Sequence, residues 1–241
     1  MSQSRLRLFD AIRGFSIVSM VAFHLCYDLV YLKGVDLAWF HPPLQDIWRA
    51  SISWTFLFVA GCMCCFSRDN LKRAARYGAL AAAIYVVTTV ASVDAPISFG
   101  IIFCMAACTL VQWLLERCGQ KPYGPLAACV CAILFLLTLN VSRGTIGLGP
   151  ATLRLPSSWY GTPWLSWLGF PGPGFVSSDY YPVLPYVFMY LSGSALGWWW
   201  KDHGFPPFFD KGFAPLEAVG RHPLIVYVLH QPLLLLLTGT F

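Results

Sequence analysis

Asp10, Arg13, His24 and Asp28 stand in one apolar stretch of membrane-spanning length, residues 9–32. A charged side chain at the centre of a bilayer costs about 2.5–3.5 kcal/mol on insertion scales, so ionisable groups at that depth line an aqueous cavity or a site. On a helix advancing about 100° per residue, the four fall within about 80° of one another, on one face. Ten residues separate Arg13 from His24, which is about 16 Å along a helix axis. The spacing predicts an arginine near one membrane surface and a histidine roughly halfway across. Arginine binds anions and histidine moves protons near neutral pH, so the stripe joins an anion-binding end to a buried proton-transfer group. His24 can serve as a general base or as a nucleophile that itself accepts the transferred group, and the residues do not choose between the two. Asp28 lies within i,i+4 reach of His24, where it can orient the ring or raise its basicity; the alternative is a solvated carboxylate at the cavity mouth. Asp10 and Arg13, three apart, read as an ion pair with a secondary part in anion binding.

The elements that must position these residues follow from composition. Only 11% of the 241 residues are charged and 57% are hydrophobic, with a mean hydropathy of +0.62; soluble domains carry about 25% charged residues. The expectation is an all-α polytopic transmembrane bundle forming a single domain over 1–241. Seven spans can be drawn, at about 9–32, 47–66, 75–92, 97–116, 125–141, 182–200 and 222–239. With the N-terminus cytoplasmic, Arg5, Arg7, Arg13, Arg68, Lys72, Arg73, Arg76, Arg117, Lys121, Lys201, Lys211 and Arg221 fall on the cytoplasmic side. Lys33, Arg49, Arg143 and Arg154 fall on the other. That asymmetry is a positive-inside signature and predicts an N-in, C-out topology. The opening residues Met1-Ser-Gln-Ser-Arg-Leu-Arg-Leu8 run directly into a polar-studded helix without a small-residue cleavage site, so the first span is expected to be retained. The net charge of +5 is accounted for by the same bias. No basic patch interleaved with stacking aromatics appears, and a nucleic-acid partner is not expected.

Four further features carry candidate chemistry. Span two contains Phe56-Leu-Phe-Val-Ala-Gly61, where the glycine permits close helix approach. The basic residues Arg68, Lys72, Arg73 and Arg76 follow it. They read either as topology and lipid-contact determinants or as a polyphosphate-recognition cluster. Residues 142–181 form a long segment rich in Gly, Pro, Ser, Trp and Tyr, expected outside the membrane as a lid, a binding loop or an interfacial aromatic belt. Pro232 in the last span frees a backbone carbonyl beside His230, making that histidine either a site residue or the group that satisfies the carbonyl. Of nine cysteines, Cys62, Cys64 and Cys65 cluster in span two without companion histidines, so they read as buried packing residues and no metal is expected. None lies in an expected external loop, which argues against a disulfide framework. Residues 201–221 look like a structured turn region, and there is no internal repeat.

Together these residues carry a resemblance. Phe9-Asp-Ala-Ile-Arg-Gly-Phe15 followed by the spaced His24 resembles the opening signature of the transmembrane acyltransferases, which include the acyltransferase-3 family and the heparan-α-glucosaminide N-acetyltransferase catalytic family. Phe56-Leu-Phe-Val-Ala-Gly61, Ser178-Asp-Tyr-Tyr-Pro-Val-Leu-Pro185 and Gly220-Arg-His-Pro223 with Tyr227-Val-Leu-His-Gln-Pro232 agree with it. The combination is most similar to small bacterial members related to the heparan acetyltransferase, from residue 5 to about 235, and poorest over 142–176. The resemblance implies transfer of an acyl group, usually acetyl, from cytosolic acetyl-CoA as co-substrate to an amino or hydroxyl group of an extracytoplasmic glycan or glycolipid. By that carry-over His24 is catalytic, Arg13 supports the donor or the site, and Asp179 and His230 are further members on the acceptor side. The setting implied is a bacterial plasma membrane. The larger families have ten or more spans where this chain has about seven.

The chemistry is consistent with the residues. A cytosolic rim of Arg13, Arg68, Lys72, Arg73 and Arg76, with Asp10, can hold the nucleotide of acyl-CoA while the pantetheine arm reaches inward to His24. The lipid bilayer, the acyl donor and the sugar acceptor are the expected partners, and a homodimer is left open. A proton-coupled transporter also fits a polar stripe and a kinked last helix, but paired inverted halves are not seen. A non-catalytic relative of the fold is the third reading.

Overall fold

A computed structural model gives the fold of residues 6–239. Arg5, counted above with the cytoplasmic charges, lies outside the described residues. The described residues divide into two compact units, 6–59 with 204–239 and 60–203.

The first unit is built on α1 (Arg7–Tyr27), which widens at its C-terminal end into a π-helical turn, Asp28–Leu32. Its other elements are the bulk of α2 (Leu44–Cys62), α7 (Ala214–Gly220) and α8 (Pro223–Thr238). Pro223 opens α8 in the first turn, where its missing N–H has no intrahelical role, and Gly239 closes it at φ +64°. α1 lies against α7 with backbones touching. A Cβ at Gly14 would overlap the Leu216 carbonyl, and one at Gly220 would overlap the Asp10 carbonyl. Farther along, the rings of His24 and His230 meet, and Lys33 Nζ donates to the Gly239 carbonyl at 2.5 Å. Gly14 with Gly220, His24 with His230 and Lys33 with Gly239 are each 206 positions apart, so α1 runs parallel to and in register with the α7–α8 segment. The lysine places a cation on the C-terminal end of α8, where the helix dipole favours it. An aromatic cluster of Phe23, Phe40 and Trp48 fixes α2 beside α1, and Trp48 Nε1 donates to Ser19 Oγ at 2.7 Å. Phe9 packs on Phe205 and Phe209.

The second unit contains the end of α2, then α3 (Asn70–Ala91), α4 (Ile101–Arg117), α5 (Gly124–Thr138) and α6 (Val183–His203). Asp69 caps α3 by accepting from the Lys72 N–H at 2.9 Å. Glycine again marks the closest approach. Gly61 and Gly197 seat the end of α2 on α6, since a Cβ at either would overlap the Tyr190 or Cys62 carbonyl respectively. Buried hydroxyls tie the bundle: Thr109 Oγ1 meets Tyr190 Oη at 3.1 Å, and Ser192 Oγ donates to the Ala128 carbonyl at 2.9 Å. Cys62, Cys64 and Cys65 are buried among these helices.

All seven drawn spans coincide with helices. Four are long and apolar enough to cross a membrane: Arg7–Leu32, Leu44–Phe66, Asn70–Ala91 and Gly124–Arg143. With 17 and 16 residues, α4 and α8 are shorter than the roughly 20 that span a bilayer core upright. Residues 201–221 hold a 3₁₀ turn at Pro207–Asp210 and the helix α7. The 142–181 segment holds short 3₁₀ turns, at Ser157–Tyr160 and Pro163–Leu165, and a small hairpin. Strands β1 (Thr145–Leu148) and β2 (Ala151–Arg154) pair antiparallel, with Thr145 opposite Arg154. Beyond them Tyr160 Oη donates to the Val141 carbonyl and Tyr180 Oη to the Ser166 carbonyl, pinning the loop to itself.

Candidate active site

The site builds from the α1–α8 seam. Asp10 and Arg13 form the expected ion pair, with Asp10 buried and Arg13 Nε also reaching the Phe9 carbonyl at 3.4 Å. His24 is half-buried. Its ring stands edge-on to that of His230, with centroids 4.8 Å apart. His230 is buried, and its Nδ1 lies 2.6 Å from the Tyr227 carbonyl. A carbonyl can only accept, so Nδ1 carries the hydrogen and Nε2 of the neutral ring presents a lone pair. That Nε2 is buried without a hydrogen-bond partner among the described residues.

Asp28 is fully buried at the start of the π turn, a form of helix that gathers at functional positions. Its two carboxylate oxygens accept from Gln231 Nε2 at 3.0 and 3.1 Å. Gln231 was not singled out from the sequence, although it lies in the His-Gln-Pro stretch that carried the resemblance. Its amide orientation is set by chemistry, because the carboxylate requires the NH2 side. Gln231 Oε1 is therefore turned away from Asp28, and it too is buried without a partner among the described residues. At the other end of the seam, Arg7 and Arg221 hold the buried Glu217 carboxylate, with Arg7 Nη2 at 2.9 Å and Arg221 Nη2 at 3.6 Å. Sequence reasoning missed this cluster as well, since Arg7 lies 210 positions from Glu217.

The remaining sequence-predicted residues belong to the second unit. Arg68, Lys72 and Arg76 are exposed, and Lys72 pairs with Asp69 at 3.6 Å. Arg73 turns inward: its Nε donates to Tyr77 Oη at 3.3 Å and its Nη2 to the Ala60 carbonyl at 3.4 Å. The four therefore do not form one uniform patch. The Lys72 N–H bonded to Asp69 holds that carboxyl below its ordinary range. Asp179 Oδ2 accepts from the Ile101 N–H at 3.1 Å, placing a negative charge at the N-terminus of α4. A Cβ at Gly100 would crowd that same oxygen. No cluster of three or more metal-ligating side chains occurs among the described residues.

Comparison with known families matches residues 5–232 to the catalytic region of heparan-alpha-glucosaminide N-acetyltransferase. The chain belongs to this family. No curated protein and no solved structure matched. Membership carries the coarse activity of a membrane acetyltransferase, in a family that uses acetyl-CoA as donor. The match spans both halves of the α1–α8 seam, so Arg13, His24 and His230 all lie within the matched region.

Proposed function

We propose that this protein transfers an acetyl group from cytosolic acetyl-CoA to an amino or hydroxyl group of an extracytoplasmic glycan or glycolipid, with His24 as catalytic base or acyl acceptor. The observation that carries the reading is the His24–His230 imidazole pair on the seam of a chain of this family. In the direct route His24 takes the proton of the acceptor nucleophile, the new C–O or C–N bond forms as the C–S bond breaks, and the proton passes to the CoA thiolate. In the covalent route His24 first replaces the thiolate on the acyl carbon and then yields the acyl group to the acceptor. Arg13, steadied by Asp10, and the basic residues Arg68, Lys72, Arg73 and Arg76 supply cationic charge for the CoA phosphates. Asp28, held by Gln231, orients the His24 ring or raises its basicity, and Asp179 and His230 serve the acceptor side. The bundle is read as seven spans of a bacterial plasma membrane, N-in and C-out, supported by the charge asymmetry of its loops.

The test is radiolabelled acetyl transfer by purified, detergent-solubilised protein. His24→Ala is expected to abolish transfer while acetyl-CoA binding persists. Full transfer by a folded His24→Ala protein would overturn the site.

A further inference from the structure

The hairpin of the long loop has two faces of opposite character. Its register pairs Ile146 with Leu153 and Leu148 with Ala151, and side chains alternate along a strand, so these four share one face. Thr145, Gly147, Thr152 and Arg154 share the other. The apolar face is largely uncovered, with Leu153 68% exposed and Leu148 49%. A lone two-stranded hairpin is marginal in water, and its apolar face needs something to pack against. From the same loop Trp164 stands 82% exposed, and Trp159 and Trp167 are exposed as well.

The helix that leads into the hairpin says what covers it. Leu126, Val130, Ile133 and Leu137 are exposed on α5 at steps of four, three and four, one apolar stripe of a helix that belongs to a membrane-spanning candidate. The 15 residues of α5 rise about 22 Å, less than a hydrocarbon core of about 30 Å. The chain leaving Thr138 is therefore still at the level of the bilayer boundary when β1 begins. It is held there, because the Leu155 N–H donates to the Gly144 carbonyl and Tyr160 Oη to that of Val141. A second copy of the chain is a poor cover. Four side chains on two four-residue strands offer far less than the roughly 800 Å² per partner that a stable dimer buries. Exposed indoles and an arginine on the opposite face suit a headgroup boundary, which is apolar on one side and wet and charged on the other.

We infer that the apolar face of the β1–β2 hairpin, together with Trp164, lies in lipid at the headgroup boundary and anchors the loop there. Ile146, Leu148, Ala151 and Leu153 meet the acyl chains, while Arg154 reaches the phosphates. The inference needs a bilayer and no particular transfer chemistry, so it stands or falls apart from the acetyl reaction.

The experiment places a fluorescent amino acid at Leu153 and, in a second protein, at Thr152, with the full chain in lipid nanodiscs so that both membrane faces meet the buffer. Quenching is compared between phosphatidylcholine brominated near the top of its acyl chains and iodide in the water. Bromolipid is expected to quench position 153 at least about twofold more than position 152, and iodide the reverse. Leu148, on the same face, takes the place of Leu153 if that protein does not fold. Iodide quenching at both positions would overturn the inference by placing the face in water. Silence of both quenchers at 153 would overturn it in favour of a protein cover, and equal bromolipid quenching at the two would overturn the two-faced orientation.

Discussion

His24 and His230 are chemically the same side chain with different freedom. His230 is buried and has its proton pinned to Nδ1 by a backbone carbonyl, whereas His24 is half-buried and touches it edge-on. This division was only half legible in the sequence. An ionisable residue in an apolar span announces itself, and Pro232 pointed to His230. Of the two readings that Pro232 left open for His230, site residue or partner of a backbone carbonyl, the structure shows its Nδ1 on the carbonyl of Tyr227, three residues back. Asp28 illustrates the other limit: periodicity brings it near His24, but its partner Gln231 comes from the far end of the chain. Local spacing reports neighbours along one helix and is silent about what a second helix brings. At the α3 cap the electrostatics are simpler. The folded pKa of Asp69 is depressed, so its contribution to stability is present above the ordinary aspartate range and lost as pH falls through the lowered value. Thermal unfolding of Asp69→Asn beside wild type is expected to show a deficit at neutral pH that closes as the solution is acidified.

Among the elements, glycine decides where helices touch. Gly14 and Gly220 face one another's helices so closely that no Cβ fits at either, and each belongs to a stretch that carried the family resemblance. Their presence was visible in the sequence, but that they meet was not, because pairing across the whole chain has no periodic signature. Gly14→Ala is expected to destabilise by about 1–3 kcal/mol, as overpacking does when backbone must shift, and to lower transfer by displacing His24 relative to His230. Gly220→Ala should behave alike. The double variant should cost less than the sum, since one separation of the helices relieves both clashes. Differential scanning fluorimetry of the four proteins checks this; strict additivity would mean that the two glycines act at separate contacts.

At the scale of the molecule, helix positions were read well and their limits less so. Apolar length locates a helix, while its ends depend on caps such as Asp69 and Gly239 that sit just outside the apolar run. The hairpin of β1 and β2 inside the 142–181 loop was unreadable because the loop's glycines, prolines and aromatics carry neither period cleanly. Orientation makes a prediction of its own. Alkaline phosphatase joined after Thr238 in a bacterial host should be active, and joined after Arg73 inactive; the reverse pattern would invert the topology. The parallel register of α1 with α7–α8 has a consequence for how the protein is made. His24 belongs to the first described helix and His230 to the last, so the imidazole pair cannot assemble while the residues between them are being threaded into the bilayer. Until α8 arrives, the ionisable face of α1 has to wait without its final neighbour, and a ribosome that stalls before residue 223 leaves the described helices α1 to α7 in hand but no imidazole pair.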